Sequence, residues 1–220
     1  MIETILPAGV ACAEAFSDLE DVVLFPVEEE SVNRAVDKRR REFRTARGCA
    51  RQAMAGLGLP PAAIPRGDRG APQWPPGVVG SITHCAGYRG AAVAHTRDLL
   101  TIGLDAEPDD LLPEGVLDRV SLPDERARLR ELAATAPGIS WDRLLFCAKE
   151  ATYKAWFPLA KSWLGFEDAD ITINAAGGTF QVRLLVEGPV IAGSPLAGFT
   201  GRWLAGDGLI LTAIAMAHGA

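Results

Sequence analysis

The sequence lacks an apolar run that approaches the roughly 18 residues a membrane-spanning helix needs. Its first ten residues have neither the basic start nor the long apolar stretch of a secretion signal. These absences predict a cytoplasmic protein with no membrane partner. Cysteines in paired spacing are lacking too, which predicts free thiols in place of a zinc site or a disulfide framework. The four cysteines are Cys12, Cys49, Cys85 and Cys147.

An excess of basic residues is also absent, since 28 acidic residues outnumber 22 basic ones and the formal net charge is −6. This balance argues against a protein that wraps nucleic acid. The basic residues are concentrated, however, because eight of them lie between residues 34 and 51. We therefore expect one cationic element that meets a compact anion. The composition, 48% hydrophobic and 23% charged over 220 residues, is typical of a folded soluble protein.

Three segments have helical patterns. The first runs from residue 31, with Ser31 and Asn33 as candidate caps, to about residue 56. The second covers residues 117–134, and the third runs from Ser140 to about residue 157, where Pro158 should stop it. Residues 60–77 contain six prolines and three glycines, which predicts an extended loop.

Short strand patterns fill most of the remaining chain. Residues 78–85, 90–95 and 101–107 predict an antiparallel meander. The tail predicts strands at 171–175 and 180–187, followed by a hairpin over 200–217 that turns at 206–208. Because helices and antiparallel strands come in blocks, we expect an α+β fold and not a parallel doubly wound sheet.

Two acidic positions share one face of the strand over residues 101–107. The period of two places Asp105 and Glu107 opposite Ile102 and Leu104. Adjacent carboxylates repel each other, and their hard oxygen atoms suit Mg²⁺. The alternative is a strand end that simply enters solvent. On the third helix Glu150 is four residues before Lys154, a spacing equally common in surface ion pairs.

The basic helix has arginines near its apolar face. At about 100° per residue, Arg39 falls inside the apolar arc and Arg47 lies at its edge. A guanidinium on a buried face needs an anionic partner, either a structural carboxylate or a phosphate. The apolar arc contains Val36, Phe43, Ala46, Ala50, Met54 and Leu57, whereas Arg40, Arg44 and Arg51 are expected to form a solvated stripe.

Two further segments carry groups that suit a phosphate. Arg66 and Arg69 flank glycines, which leave backbone N–H groups free to approach an anion. Thr83 and His84 follow at a strand end, where a hydroxyl and an imidazole could donate to a phosphate or nucleotide. The alternative for His84 is a structural role, which we also expect for His95 and His218.

In their order along the chain, these sequence segments resemble the motifs of the large, two-lobed class of 4′-phosphopantetheinyl transferases, especially the branch that serves siderophore and polyketide synthases. The resemblance covers the chain from about Arg39 to Gly165. Its motifs are the basic helix, RGDRGAP at 66–72, SITHCAG at 81–87, GLDAE at 103–107 and FCAKEATYK at 146–154. Phe146 stands where many members have tryptophan, and Trp156 where a small residue is common.

The resemblance implies two similar lobes, 1–103 and 104–220, each an antiparallel sheet packed with a long helix. It implies a monomer that uses Mg²⁺ to transfer phosphopantetheine from coenzyme A to a serine of an acyl or peptidyl carrier protein, releasing 3′,5′-ADP. Implied metal ligands are Asp105, Glu107 and Glu150. Implied coenzyme A contacts are Arg39, Arg47, Arg66, Gly67, Asp68, Arg69, Thr83, His84, Asp105, Lys149 and Lys154, with Arg47 and His84 nearest the 3′-phosphate.

The same resemblance suggests roles in catalysis and docking. Glu150 is the expected general base and Glu107 the next candidate, while Lys154 steadies the pyrophosphate. Residues after the last helix could receive the carrier or belong to the core: Phe157, Leu159, Lys161 and Trp163. The rival hypotheses are a metal-dependent phosphodiesterase, which would use water as acceptor, and a nucleic-acid-binding module built on the arginine helix.

Overall fold

The computed structural model describes residues 1–219, in which helices and antiparallel strands alternate in blocks. The helices are α1 (Pro26–Glu30), α2 (Asp37–Gly56), α3 (Val116–Val120), α4 (Pro123–Thr135) and α5 (Trp141–Ala160). The strands are β1 (Ala11–Ala15), β2 (Val78–Cys85), β3 (Tyr88–His95), β4 (Leu99–Pro108), β5 (Ala169–Asn174), β6 (Thr179–Leu184), β7 (Val190–Ile191), β8 (Ser194–Pro195), β9 (Gly198–Gly206) and β10 (Leu209–Ala217). The predicted α+β class is confirmed.

The strands form two main sheets, each covered by one long helix. A three-stranded sheet has the order β1-β3-β2 and packs against α2. A five-stranded sheet has the order β4-β10-β9-β6-β5 and packs against α5. The predicted hairpin over residues 200–217 is confirmed as β9 and β10, which turn at Asp207 and Gly208. The small β7–β8 hairpin was not predicted.

The predicted three-strand meander is wrong in its last strand. Strand β4 pairs with β10 and not with β3. Strand β2 instead meets β4 through side-chain hydroxyls, because Ser81 Oγ accepts from Leu104 N and Thr83 Oγ1 accepts from Ala106 N, each at 3.0 Å. The two sheets therefore join at a seam of hydroxyl contacts. The predicted lobe boundary at residue 103 falls inside β4, and the lobe limits stay a prediction.

Helix α2 begins six residues later than predicted. Residues 31–34 form a turn, and the short helix α1 precedes them. Arg40 donates from Nε to Ala35 O and from Nη2 to Asn33 O, so its side chain satisfies carbonyls of this turn. Val36 is the N-terminal cap residue and is 74% exposed, so its assignment to the buried arc is wrong.

Proline explains two further corrections. The helix predicted over 117–134 is divided into α3 and α4, because Pro123 begins a new helix after Leu122. Pro158 lies inside the last turn of α5 without stopping it, and the helix ends when Lys161 adopts a φ of 53°. A proline so close to the end removes only one helical hydrogen bond.

The core is continuous between the two sheets. One apolar cluster joins Ile2 and Ile5 to Tyr88 of β3, Ile102 of β4 and Leu211 of β10. Burial of such side chains contributes about 1.5–3 kcal/mol each, so the seam between the sheets is a stabilising interface. All four cysteines are free. None of the helices in residues 1–219 combines the length and the apolar character needed to cross a bilayer.

Candidate active site

A cleft of about 700 Å³ lies between the glycine-rich loop and α5. Its walls are residues 67–74 on one side and, on the other, one face of α5 that includes Glu150, Tyr153, Lys154 and Phe157. A smaller cavity of about 100 Å³ lies nearby. Arg39, Arg47, Arg66 and His84 line this smaller cavity, together with Phe43, Ala46, Gly70, Pro72 and Ile82.

Asp105 and Lys154 form an ion pair at the seam between the sheets. Lys154 Nζ donates to Asp105 Oδ1 at 2.7 Å and to Leu104 O at 3.0 Å. Thr83 Oγ1 donates to the same carboxylate oxygen at 3.1 Å. Burial lowers the pKa of Lys154, but the Asp105 carboxylate outweighs this effect and the pKa is raised. Lys154 therefore stays charged beside a buried carboxylate.

Glu107 and Glu150 lie within electrostatic reach of Asp105. The pKa of each is raised, first by burial and then by the negative charge of Asp105. Glu107 Oε2 accepts from Arg143 Nη1 at 3.0 Å, which opposes part of this rise. The three acidic residues that sequence reasoning grouped thus share one neighbourhood.

The donor chemistry of this neighbourhood fits a divalent cation. Within residues 1–219, Asp105 Oδ2 is buried and has no hydrogen-bond partner, and the charged forms of the other two carboxylates are disfavoured by burial and then by the charge of Asp105. A hard cation would satisfy the free oxygen and relieve this repulsion. In residues 1–219, however, no three acidic, histidine or cysteine side chains already converge as a ligand set. The assignment of Asp105, Glu107 and Glu150 as metal ligands therefore stays a prediction.

The smaller cavity is lined by cationic groups held in place by local contacts. Arg47 is 5% exposed, donates from Nε to Ile64 O at 2.7 Å and lies 4.0 Å from the centre of the Phe43 ring. Burial lowers its pKa to about 10, which still leaves it charged at neutral pH. Arg39 Nη1 donates to His84 Nε2. Burial, followed by the charge of Arg39, lowers the pKa of His84 to about 4.

The chain matches two family profiles that together span most of its length. Residues 27–94 match the 4′-phosphopantetheinyl transferase N-terminal domain, and residues 101–193 match the 4′-phosphopantetheinyl transferase superfamily. The chain belongs to the 4′-phosphopantetheinyl transferase family. It transfers phosphopantetheine from coenzyme A to carrier proteins, and the comparisons give no support to the phosphodiesterase alternative.

Several curated relatives align along nearly the whole chain. The 4′-phosphopantetheinyl transferase Npt of Nocardia iowensis is 57% identical, covering 99% of this chain and 100% of its own length. PptT of Mycobacterium tuberculosis is 51% identical, covering 98% of each chain. The enterobactin synthase component D of Salmonella typhi is 33% identical, covering 74% of this chain and 67% of its own length.

The loop that carries Arg66 and Arg69 points these two residues in different directions. Arg66 lies against Gly70, where an added Cβ would be 2.8 Å from Arg66 Nη2. The Arg69 guanidinium lies 5.5 Å from the centre of the Trp163 ring, which belongs to the segment after α5. Gly67 and Asp68 line the large cleft. Arg69 therefore connects the glycine-rich loop to the segment after α5, while Arg66 belongs to the smaller cavity.

Lys149 does not face the cleft, which corrects its prediction as a coenzyme A contact. Its side chain is 2% exposed and pairs with Glu125 at 2.9 Å. Lys149 Nζ also donates to Phe166 O and Ala169 O. Consecutive residues on a helix point about 100° apart, so Lys149 is buried between α4 and β5 while Glu150 reaches the cleft.

One other placement corrects the sequence interpretation, and another decides between two alternatives that it left open. Arg51 is not part of a solvated stripe, because its Nη1 donates to Glu28 Oε1 at 2.9 Å and Glu28 is fully buried. Phe157 is 7% exposed and belongs to the core, whereas Trp163 is 58% exposed. Of the four residues expected to receive or support the carrier, Trp163 and the exposed Lys161 lie at the surface.

Sequence reasoning missed Arg143 and Tyr153. Arg143 pairs with Glu107 and also donates to Asp110 O and Leu111 O, which fixes the loop after β4. It lies two turns before Glu150 on the same helix face, a spacing that could have identified it. Tyr153 lines the cleft, and its hydroxyl group is buried without a hydrogen-bond partner in residues 1–219.

Proposed function

We propose that this transferase depends on Mg²⁺ and that Asp105, Glu107 and Glu150 hold the ion. The observation that carries this proposal is the buried Oδ2 of Asp105, which has no hydrogen-bond partner among residues 1–219 and lies beside two carboxylates with raised pKa values. When bound, Mg²⁺ would neutralise negative charge on the diphosphate of coenzyme A. The residues around it bind the substrate and handle the proton.

The small cationic cavity is proposed to hold the 3′-phosphate of coenzyme A. Arg47 and His84 have the most restricted positions, while Arg39 and Arg66 add charge at the rim. Neutral His84 can use one ring nitrogen to accept from Arg39 and the other to donate. Lys154, fixed by Asp105, would keep a positive charge near the pyrophosphate in the adjoining cleft.

Glu150 is proposed as the general base for the serine hydroxyl of the carrier protein. Glu150 lines the cleft beside Tyr153 and Lys154, so its carboxylate lies where it can take a proton from a hydroxyl that enters the cleft. The serine oxygen would form a bond to the β-phosphorus while the bond to the leaving 3′,5′-ADP breaks. The serine proton goes to Glu150. Glu107 is the second candidate, although Arg143 already occupies its carboxylate.

The physiological setting of the enzyme is proposed from its relatives and its surface. A relative named as an enterobactin synthase component supports a carrier in siderophore assembly. Lys161 and Trp163 offer an exposed basic and aromatic edge to an acidic carrier helix. We also propose that the enzyme works as a cytoplasmic monomer.

The test is the intact mass of a carrier protein after incubation with enzyme, coenzyme A and Mg²⁺. We expect the added phosphopantetheine on serine, loss of transfer after chelation with EDTA, and recovery when Mg²⁺ is restored. Glu150→Ala should retain the fold but lose transfer, and Glu131→Ala on the exposed face of α4 is the matched control. Full transfer in the presence of EDTA would refute the proposed need for a metal ion. Wild-type turnover by Glu150→Ala would refute the proposed role of Glu150 as the general base.

A further inference from the structure

A chain of alternating charges runs from the protein surface to the small cationic cavity. Glu42 lies one turn after Arg39 on α2, with its Oε2 at 3.6 Å from Arg39 Nη1. Its other oxygen, Oε1, lies 3.9 Å from Arg89 Nη2. Arg89 in turn pairs with Asp18 at 3.0 Å. Glu42 is therefore held between two guanidinium groups.

Arg89 is rigidly placed with respect to His84. The two residues are direct partners in the β2–β3 ladder, and Arg89 Nη1 donates to the carbonyl of Cys85 at 3.2 Å. Arg89 is 7% exposed. It thus ties Glu42 to the strand end that carries His84.

Arg39 needs such support because its side chain is 39% exposed. A long free side chain loses rotamer entropy when it binds a ligand, and a contact that orders it beforehand removes part of that cost. Glu42 and His84 both contact Nη1 of Arg39, Glu42 through an ion pair and His84 as a hydrogen-bond acceptor. These two contacts restrict the guanidinium of a residue that lines the small cavity.

We infer that Glu42, held by Arg89, is a positioning residue that orients Arg39 for the phosphate bound in the small cavity. This inference rests on the proposed use of that cavity for the 3′-phosphate of coenzyme A. The negative charge of Glu42 alone would weaken phosphate binding, because a carboxylate beside an anion site repels the anion. Glu42 is favourable to binding only if its effect on Arg39 outweighs this repulsion.

The two possible effects of Glu42 predict opposite changes in the KM for coenzyme A when Glu42 is replaced by glutamine. If Glu42 positions Arg39, the KM for coenzyme A rises by about fivefold, the equivalent of a partly buried ion pair, while kcat changes less than twofold. If Glu42 only repels phosphate, the KM falls, and that result overturns the inference. Asp98→Asn, which breaks the exposed Arg97–Asp98 pair, is the control and should leave both constants unchanged.

Dephospho-coenzyme A, which lacks the 3′-phosphate, separates positioning from a general structural effect. For this substrate Glu42→Gln and the wild type should have the same KM. A similar rise for both substrates would mean that the substitution only loosens the fold, and would overturn the inference. A wild type with equal KM for both substrates would instead refute the assignment of the cavity to the 3′-phosphate, and this inference with it.

A double-mutant cycle tests whether Glu42 acts through Arg39. In an Arg39→Gln background, Glu42→Gln should cause no further rise in the KM for coenzyme A. An undiminished fivefold rise there would show that Glu42 acts by another route. Glu42→Asp retains the charge but shortens the side chain, so it should also raise the KM if position matters. Thermal unfolding of each variant verifies that the measured enzyme is folded.

Discussion

Lys154 Nζ lies 2.7 Å from Asp105 Oδ1, and this pair joins α5 to β4 at the inner end of the transferase cleft. The side chain of Asp105 is 7% exposed and that of Lys154 is 27% exposed, so water screens the pair only in part. Lys154 also donates to the carbonyl of Leu104. One ammonium group thus holds the strand and the helix that carry the proposed metal ligands.

Lys154→Met should therefore reduce both stability and transfer. The substitution leaves Asp105 buried without its cation, and we expect the free energy of unfolding to fall by about 2 kcal/mol. Urea denaturation in metal-free buffer measures this change. Lys38→Met, at an exposed position on α2, is the control. Wild-type stability in Lys154→Met would mean that the ion pair contributes nothing net.

Gly103 allows α5 to lie directly on β4. A Cβ added at this position would lie 2.0 Å from the carbonyl oxygen of Ala151 and 2.8 Å from Ala155 N. Both are backbone atoms of the helix, so relief requires movement of α5. Gly103→Ala should cost about 3 kcal/mol of stability and should shift the helix that bears Glu150.

The control for this prediction is Gly206→Ala, where the added Cβ would meet only Met1 Cε at 3.9 Å. Urea denaturation of both variants gives the comparison, and carrier transfer by the folded fraction reports any displacement of α5. If the two substitutions destabilise the protein equally, close approach of the helix to the strand is not the reason for glycine at position 103.

Local sequence patterns grouped charged residues within single elements, and the family resemblance assigned these groups to one site. The period of two in β4 put Asp105 and Glu107 on one face, and helical spacing brought Glu150 and Lys154 together. These relationships depend only on residues within one element. The hairpin of β9 and β10 was equally predictable, because its turn contains Asp207 and the following glycine.

Relationships between distant segments were not available from such patterns. The partner of Asp105 in the β-ladder is Thr212, near the end of the chain, so the pairing of β4 depends on tertiary structure. The contact of Thr83 Oγ1 with Ala106 N likewise replaces a ladder bond that no local pattern encodes. Lys149 was misassigned for the same reason, since its partner Glu125 lies on another helix.

The lowered pKa of His84 predicts a loss of stability in mild acid. Burial and the adjacent Arg39 lower the folded-state value from 6.5 to about 4, so the unfolded chain takes up a proton first as pH falls. The contribution is present above pH 6.5 and is lost as pH decreases towards 4. Between pH 7 and 5 we expect a loss of about 1–2 kcal/mol from this group.

His84→Gln should remove that part of the pH dependence. Urea denaturation at pH 7 and pH 5 should show a smaller decrease for the variant than for the wild type. His218→Gln, at an exposed residue near the end of the chain, serves as the control. An identical decrease in His84→Gln and the wild type would mean that other groups account for the acid sensitivity.

Lys149 provides the clearest separation of a stabilising role from a binding role. The side chains of Lys149 and Glu125 are 2% and 1% exposed, and the Glu125 carboxylate also accepts from the backbone N–H groups of Leu122 and Ile171. Lys149→Met leaves this carboxylate buried without its cation, and we expect a loss of about 3 kcal/mol in the free energy of unfolding. The KM for coenzyme A should stay within about twofold of wild type, because Lys149 does not reach the cleft.

The double variant Lys149→Met/Glu125→Gln should recover part of the lost stability, since no unpaired charge remains in the core. Recovery is incomplete because glutamine offers only one oxygen to the two backbone N–H groups that Glu125 satisfies. Urea denaturation and initial rates of carrier transfer at a temperature where each variant is folded give both quantities. Normal stability combined with a raised KM would restore Lys149 as a coenzyme A contact and contradict the buried geometry.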